Sequence, residues 1–179
     1  EKWGASYTDL LANTIGCALA FGQELRWKEQ RIMIKYAFHP VSYDDPMLQS
    51  RAESLFGDKW YELFLKDYNG QSYWLSVNLS SFLPESKFPK WLNIAYGYSA
   101  ENMFGGEQNK WIDNEVLVTR YDVPRYRQHF LSLDLDFTKI KTNSKILRSF
   151  LGILNIYKIP FAAISYDRIN KLQFLPIYF

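Results

Sequence analysis

The chain has 179 residues, of which 47 % are hydrophobic, and this suggests one folded domain over residues 1–179 rather than a disordered chain. Its 21 basic and 19 acidic residues are mixed without a lysine or arginine stripe, which argues against a nucleic-acid-binding protein. The single cysteine, Cys17, excludes an internal disulfide and a multi-cysteine metal site, and we expect it to pack within a helix contact. The sequence contains no run of about 18 uncharged apolar residues, so it predicts no membrane-spanning helix.

The first predicted element is a helix over residues 6–27. Ser6 can cap its N-terminus, and Asp9 complements the helix dipole in the first turn. Residues 31–39 then alternate with a period of two, which predicts a strand. The chain begins at Glu1 without an initiator methionine or a signal peptide, so we expect an N-terminally incomplete sequence.

Residues 40–70 predict a mixture of helix and loop. Asp45 followed by Pro46 is a favourable helix start, because an acid caps the first turn and proline fits the first helical position. Asn69 and Gly70 end this region, either by stopping a helix or by turning a hairpin, and we favour the helix stop. The reason is that residues 58–66, just before this dipeptide, lack the period-two alternation that marks a strand.

The stretch 71–139 is rich in strands, and three of its segments alternate between a large apolar face and a small or polar face. In the third segment the apolar face runs from Leu131 to Phe137, bounded by Arg127 and Lys139. A second amphipathic helix is predicted over residues 144–157, and two C-terminal strands are predicted within 161–179.

The polar faces of these strands carry Ser, Asn, Gly, Ala, Thr and Asp rather than long charged side chains. Such residues are typical of the narrow polar interior of a membrane barrel, and the apolar height of roughly 20 Å is close to the barrel band of about 25 Å. The sequence therefore predicts a β-rich α+β fold with an antiparallel outer-membrane β-barrel or partial barrel and amphipathic helices. The alternative is a soluble periplasmic α+β domain.

The chain carries none of the common catalytic motifs, and neither a cofactor nor a metal is predicted. Asp134 and Asp136 are two residues apart on a predicted strand, so they would share a face at about 7 Å and could act as paired acids or hold a cation. The alternative is that both meet Arg or Lys across a polar interior. A second group could line a ligand or partner contact, or could equally form a capped turn at the membrane interface: Asp67, Tyr68, Asn69, Gln71 and Trp74.

Residues 67–76 (DYNGQSYWLS) and 89–98 (PKWLNIAYGY), with 9–16 (DLLANTIG), resemble the YfiM-like family in its longer, Bacteroidota-type form. The family comprises predicted periplasmic or outer-membrane lipoproteins without an established activity, so no site residue follows from the resemblance. It implies export, an upstream lipid anchor and an outer-membrane location. The His-containing helical stretch that opens the short members has no counterpart here.

These features predict a non-enzymatic accessory or structural subunit of a bacterial outer-membrane assembly. Its expected partners are other outer-membrane proteins and lipid, not nucleic acid. The alternative is an envelope hydrolase or lipid-modifying enzyme that uses Asp134 and Asp136 as paired acids.

Overall fold

Six strands form one antiparallel sheet in the computed structural model, which describes residues 7–83, 85 and 87–179. The strand order is β1-β2-β3-β6-β7-β8, and β4 and β5 form a separate two-stranded sheet. The strands are β1 (Ile32–Phe38), β2 (Gln71–Val77), β3 (Leu92–Glu101), β4 (Lys110–Asp113), β5 (Val116–Thr119), β6 (Tyr126–Leu135), β7 (Phe161–Asp167) and β8 (Lys171–Tyr178). The predicted β-rich α+β fold is confirmed.

Helices connect the strands or precede them. They are α1 (Tyr7–Trp27), α2 (Pro46–Phe56), α3 (Trp60–Lys66), α4 (Leu79–Phe82) and α5 (Lys145–Leu154). The Asp45 carboxylate caps α2 by accepting from the Met47 N–H at 2.8 Å, as the sequence predicts. The cap expected at Ser6 lies outside the described residues. Within the part of the chain that the structure describes, none of the helices is sufficiently long and apolar to cross a membrane.

The six-stranded sheet is strongly curled around its small and polar face. Trp74 on β2 and Tyr178 on β8 are four strand positions apart, which corresponds to about 19 Å in a flat sheet. Their ring centroids are nevertheless 6.2 Å apart, and the Tyr178 ring stacks on Phe130 of β6 at 4.1 Å. The inner faces of distant strands therefore pack directly against each other.

The two edge strands, β1 and β8, are not joined by a hydrogen-bonded ladder among the described residues, so a closed barrel is not confirmed. Part of the β1 edge is covered by the segment that follows α5. Tyr36 donates its N–H to the Ile156 carbonyl at 2.9 Å, and Lys158 donates its N–H to the Tyr36 carbonyl at 2.9 Å.

The alternation seen in the sequence places small and polar side chains inside the curl, around Trp74 and Phe130, and other large apolar side chains outside it. Ser72, Ser76, Asn93, Ala95 and Asp134 are buried. The outward positions of the same strands are exposed, and they include Tyr73, Leu75, Tyr96, Leu131 and Leu133. This is the reverse of the usual arrangement in a water-soluble sheet.

Three sequence predictions differ from the structure. Strand β6 ends at Leu135, and Phe137 begins a short 3-10 helix instead of continuing the apolar face, because the Asp136 side chain accepts the Thr138 N–H at 3.0 Å. Helix α5 ends at Leu154 rather than at residue 157, and Asn155 is buried. Cys17 is exposed rather than buried in a helix contact.

Candidate functional site

On the outer face of the sheet, five neighbouring strands each contribute one aromatic residue to a row that runs across the sheet. Each member lies opposite the next in the strand register: Tyr36, Tyr73, Tyr98, His129 and Tyr166. The ring of His129 also packs against Tyr98, with centroids 5.6 Å apart. We call this set the aromatic row. Belts of tyrosine and other aromatic residues are typical of membrane–water boundaries.

Apolar side chains fill the next rows on one side of the aromatic row. The adjacent register row contains Ile34, Leu75, Tyr96, Leu131, Ile164 and Phe174. The following rows contain Ile32, Val77, Ile94 and Leu133, and then Leu92 and Leu135. At about 3.3 Å per residue, the distance from the aromatic row to the last of these rows is roughly 20 Å. We call this surface the apolar band.

Helix α5 adds a second exposed apolar surface. Its side chains Ile146, Leu147, Phe150 and Ile153 are exposed although they form the apolar side of an amphipathic helix. An amphipathic helix of a water-soluble protein buries this side against its core. The described residues of this chain therefore do not cover the apolar side of α5.

The interior of the curled sheet contains a buried ion pair. The Lys35 Nζ of β1 lies 2.8 Å from the Asp134 Oδ2 of β6, and both side chains are completely buried. Lys35 also donates to the Leu135 carbonyl at 2.7 Å and to the Asn155 Oδ1 at 3.1 Å. The Ser76 hydroxyl donates to the same Asp134 oxygen at 2.7 Å. Asp134 thus meets a lysine across the polar interior, as one of the two sequence-based alternatives expected.

A chain of amide side chains extends this ion pair towards the far end of the sheet. The Asn93 amide donates to Ser76 Oγ at 2.9 Å, and the Asn78 amide donates to Asn93 Oδ1 at 2.7 Å and to the Lys90 carbonyl at 2.7 Å. All three side chains are buried. The sequence predicted polar residues inside the curl but did not single out these partners, because pairing them requires the strand register.

Asp136 does not share the strand face of Asp134. It lies beyond the end of β6, and its Oδ1 accepts from the Asn155 amide at 3.3 Å, so that Asn155 connects it to Lys35. Both carboxylates are fully buried. Asp134 Oδ1 and Asp136 Oδ2 have no hydrogen-bond partner within the described residues. Both carboxylates are thus shielded from solvent, and only Asp134 contacts Lys35 directly.

The second predicted group is divided between a turn and the core. Asn69 is buried, and its Oδ1 accepts the Met103 N–H at 2.6 Å, while Asp67 accepts the Asn69 N–H at 3.0 Å. Gln71 donates to the Phe64 carbonyl at 3.2 Å, whereas Tyr68 is exposed. The buried polar groups hold the turn that leads into β2. A ligand or partner contact of this group stays a prediction.

Trp74 occupies the centre of the interior. Its indole N–H donates to Ser72 Oγ at 2.8 Å, and the ring lies over the backbone of Gly97 on β3. A Cβ at Gly97 would lie 2.7 Å from the ring, so only glycine fits beneath it. The Lys158 Nζ lies 4.9 Å from the ring centroid, which adds a cation–π contact.

Three carboxylates have shifted pKa values, and they lie on the side of the aromatic row that faces away from the apolar band. Burial, with smaller contributions from Asp67 and Asp167, raises the pKa of Glu101 from 4.5 to about 7. Burial also raises the pKa of Asp67. Burial opposes ionisation of Asp167, but hydrogen bonds from the Asn170 and Ile169 backbone outweigh it and lower its pKa. A pKa of about 7 means that Glu101 titrates near neutral pH.

A groove of about 920 Å³ lies beyond the aromatic row, at the start of β6 and the end of β7. Its walls include His129 and Tyr166 of the aromatic row and four arginines, namely Arg120, Arg125, Arg127 and Arg168. We call it the arginine groove. In the sequence, Arg127 stands out only as the boundary of an apolar face. The grouping depends on the pairing of β6 with β7 and could not be read from the order of residues.

The apolar band, the aromatic row and the arginine groove follow one another along the strands, and the buried Lys35–Asp134 network lies behind the band. The sheet is thus divided into an apolar outer zone and a basic end. No family model, curated protein or solved structure matches this chain.

Proposed function

We propose that this protein is a non-enzymatic accessory or structural subunit of a bacterial outer-membrane assembly, with its apolar band against lipid. The observation that carries the proposal is the reversed burial of the sheet. Large apolar residues face outwards, whereas Lys35, Asp134 and a series of amides face inwards. Membrane barrels have this pattern of apolar outside and polar inside.

The size of the exposed surface supports a lipid environment. Tyr73, Tyr96, Tyr166 and Phe174 are 50, 49, 55 and 68 % exposed. With about 200 Å² for each aromatic side chain, these four alone expose roughly 450 Å². The largest apolar patch of a typical monomer is about 300–600 Å² in total. The aliphatic members of the apolar band and the apolar side of α5 come in addition, so the exposed surface exceeds that of an ordinary water-soluble domain.

The finer fold that we propose is a partial barrel. Its interior is filled by side chains, since Trp74, Phe130 and Tyr178 meet at its centre. Six strands are fewer than the eight of the smallest bacterial barrels, and β8 has no strand partner on its outer side among the described residues. Unpaired backbone groups are costly in hydrocarbon. The β8 edge therefore supports a subunit that pairs with another membrane protein.

The resemblance to the YfiM-like lipoproteins supports the same location and an exported protein. We propose membership of that family in its longer form, with lipid and outer-membrane proteins as partners. The pieces that carry the resemblance, residues 67–76 and 89–98, contribute to β2 and β3, the strands that carry much of the apolar band.

Site-directed spin labelling tests the lipid contact directly. In a Cys17→Ser background, single cysteines replace Leu131 and Ile164 in the apolar band and Ile112 on β4 as a matched, exposed control. The full-length protein is labelled in native-like membranes, and collision with oxygen is compared with collision with a water-soluble nickel chelate. We expect oxygen to dominate at the two band positions and nickel to dominate at the control. Nickel access at all three positions would contradict the proposal.

Photo-crosslinking tests the subunit claim separately. A photoreactive amino acid at Gln173 on the β8 edge should give one defined adduct with an outer-membrane protein in intact cells. The same amino acid at Lys110 on β4 serves as the control and should not give that adduct. If Gln173 gives no adduct while the spin labels report lipid, the protein is membrane-embedded but not a subunit.

A further inference from the structure

The arginine groove contains positive charge that the protein itself does not neutralise. Arg120 is the exception, since it lies 2.7 Å from Asp45 and 2.7 Å from Asp122. Arg125, Arg127 and Arg168 form no ion pair within the described residues. Three guanidinium groups in one groove therefore remain available for an anion.

Two of these arginines are held in place by the protein rather than free in solvent. Arg168 donates to the Arg125 carbonyl at 2.6 Å, which ties the end of β7 to the residue before β6. The Nε of Arg125 donates to the Met103 sulfur at 3.0 Å. The Arg125 Nη1 is buried and has no hydrogen-bond partner among the described residues. A buried, unsatisfied guanidinium nitrogen is energetically costly.

The acidic residues of the groove leave this charge in place. The Asp167 Oδ1 accepts the backbone N–H groups of Ile169 at 2.7 Å and Asn170 at 2.6 Å, so its charge is satisfied by its own turn. Glu107, the other acid in the groove wall, is exposed to solvent. The groove wall thus carries four arginines against two acids, Asp167 and Glu107, and is basic on balance.

The position of the groove matches the headgroup layer of a bilayer. Arg127 lies two residues beyond His129 on the same face of β6, which is about 7 Å beyond the aromatic row. The headgroup layer adds about 5–7 Å on each side of a hydrocarbon core of about 30 Å. An apolar band in the hydrocarbon core would thus place Arg127 at the depth of lipid phosphates.

We propose that this groove binds the phosphate of an anionic lipid headgroup through Arg125, Arg127 and Arg168. The inference rests on the proposed membrane location. Guanidinium groups suit this ligand because they bind phosphate oxygens with two parallel hydrogen bonds and are weakly hydrated. The exposed Tyr166 ring beside them contacts the lipid where the headgroup joins the acyl chains.

The test compares lipid retention by the full-length protein in nanodiscs. One set contains phosphatidylcholine with phosphatidylglycerol, and the other contains phosphatidylcholine alone. Native mass spectrometry then measures which lipid remains bound. We expect the protein to retain phosphatidylglycerol selectively, and we expect Arg127→Gln with Arg168→Gln to reduce this selectivity about tenfold or more. The matched control is Arg26→Gln on α1, an exposed arginine near the opposite end of the sheet.

The outcomes separate the site from the membrane location. Insertion into both nanodiscs without a lipid preference, or a preference that the double variant keeps, overturns the headgroup site alone. Displacement of phosphatidylglycerol by an equal concentration of inorganic phosphate overturns the lipid as the ligand and assigns the groove to a free anion. Failure of the wild-type protein to insert into either nanodisc overturns both proposals.

Discussion

An arginine on the outer face of the sheet should be most costly where the apolar band is deepest. Leu133 lies four residues from His129 on β6, about 13 Å from the aromatic row and near the centre of a hydrocarbon core of about 30 Å. A lipid-facing arginine costs about 2–4 kcal/mol at the bilayer centre and about 0–1 kcal/mol near the interface. We therefore expect Leu133→Arg to lower the free energy of unfolding by about 2–4 kcal/mol and His129→Arg by about 1 kcal/mol or less.

A matched pair of isoleucines separates lipid from water as the environment of this face. Ile164 on β7 and Ile112 on β4 are 46 % and 73 % exposed. Both are strand residues, so an arginine has similar local effects on the backbone. In water each substitution at an exposed site should change stability by about 0.5 kcal/mol or less. We expect only Ile164→Arg to exceed this value, with a cost between those at His129 and Leu133.

Reversible urea unfolding in phospholipid vesicles, followed by tryptophan fluorescence, measures all four variants. A lipid-facing sheet predicts that the loss of unfolding free energy caused by an arginine rises with its depth in the bilayer. Equal costs at Ile112, Ile164 and Leu133 would refute it, because they would mean that the outer face lies in water. A large cost at His129 equal to that at Leu133 would also refute it, because it would indicate a packed protein contact instead of a bilayer.

Three further predictions concern the interior and the end of the sheet. Lys35→Met should lower the free energy of unfolding by about 3–5 kcal/mol because it leaves Asp134 buried without its partner, and adding Asp134→Leu should recover much of this loss in the same urea assay. The pKa of Glu101 is raised by burial from 4.5 to about 7, so its contribution to stability is fully present below 4.5 and is lost as the pH rises through 7; thermal melts across this range should show it, and Glu101→Gln should remove it. Gly97→Ala should lower the melting temperature because the new methyl group would lie 2.7 Å from a buried indole ring, whereas Gly106→Ala, with no atom within 4 Å, should not.

Each of these predictions has an outcome that contradicts it. Additive losses at Lys35 and Asp134 would mean that the two side chains do not interact in the folded protein. A pH profile unchanged by Glu101→Gln would assign the titration to another group. Equal melting temperatures of the two glycine variants would mean that the Trp74 ring can move away from β3.

The local pattern of the sequence was sufficient for most elements of the fold. Period-two alternation marks β2, β3 and β6 because successive side chains of a strand point to opposite faces, and the composition of those faces indicated which one is polar. Asp45 and Ser144 act as helix caps through hydrogen bonds to Met47 and Leu147, which lie within three residues. Such features depend on neighbours in the chain and are visible without the tertiary structure.

The features that the sequence did not reveal depend on distant residues. Lys35 and Asp134 are separated by two intervening strands, so their contact follows from the strand order and the curl. The strand end at Leu135 depends on Asp136 binding the Thr138 N–H and on Asn155 binding the Phe137 N–H at 2.9 Å. A sequence pattern alone could therefore not place Asp136 off the face of Asp134.

Two buried clusters of the chain have different compositions, and the aromatic row lies between them. Inside the curl the apolar cluster contains three alanines with Trp74 and Phe130, and the surrounding side chains are polar. Beyond the row, α2 and the loop after β3 enclose a cluster of larger apolar residues, namely Leu48, Ala52, Phe56, Phe104 and Trp111. There α2 turns Leu48, Ala52 and Phe56 inwards and exposes Ser50, Glu53 and Ser54, and it also exposes Met47 and Leu55.

The proposed outer-membrane location gives the two parts different surroundings. Burial of a large apolar side chain contributes about 1.5–3 kcal/mol in water, and the cluster around Phe56 gains this contribution within the protein itself. The apolar band cannot gain it there, since its side chains face away from the interior. In that location lipid supplies the same gain to the band and leaves the interior free for the Lys35–Asp134 network. The aromatic row would then lie at the level at which the surroundings change from hydrocarbon to water.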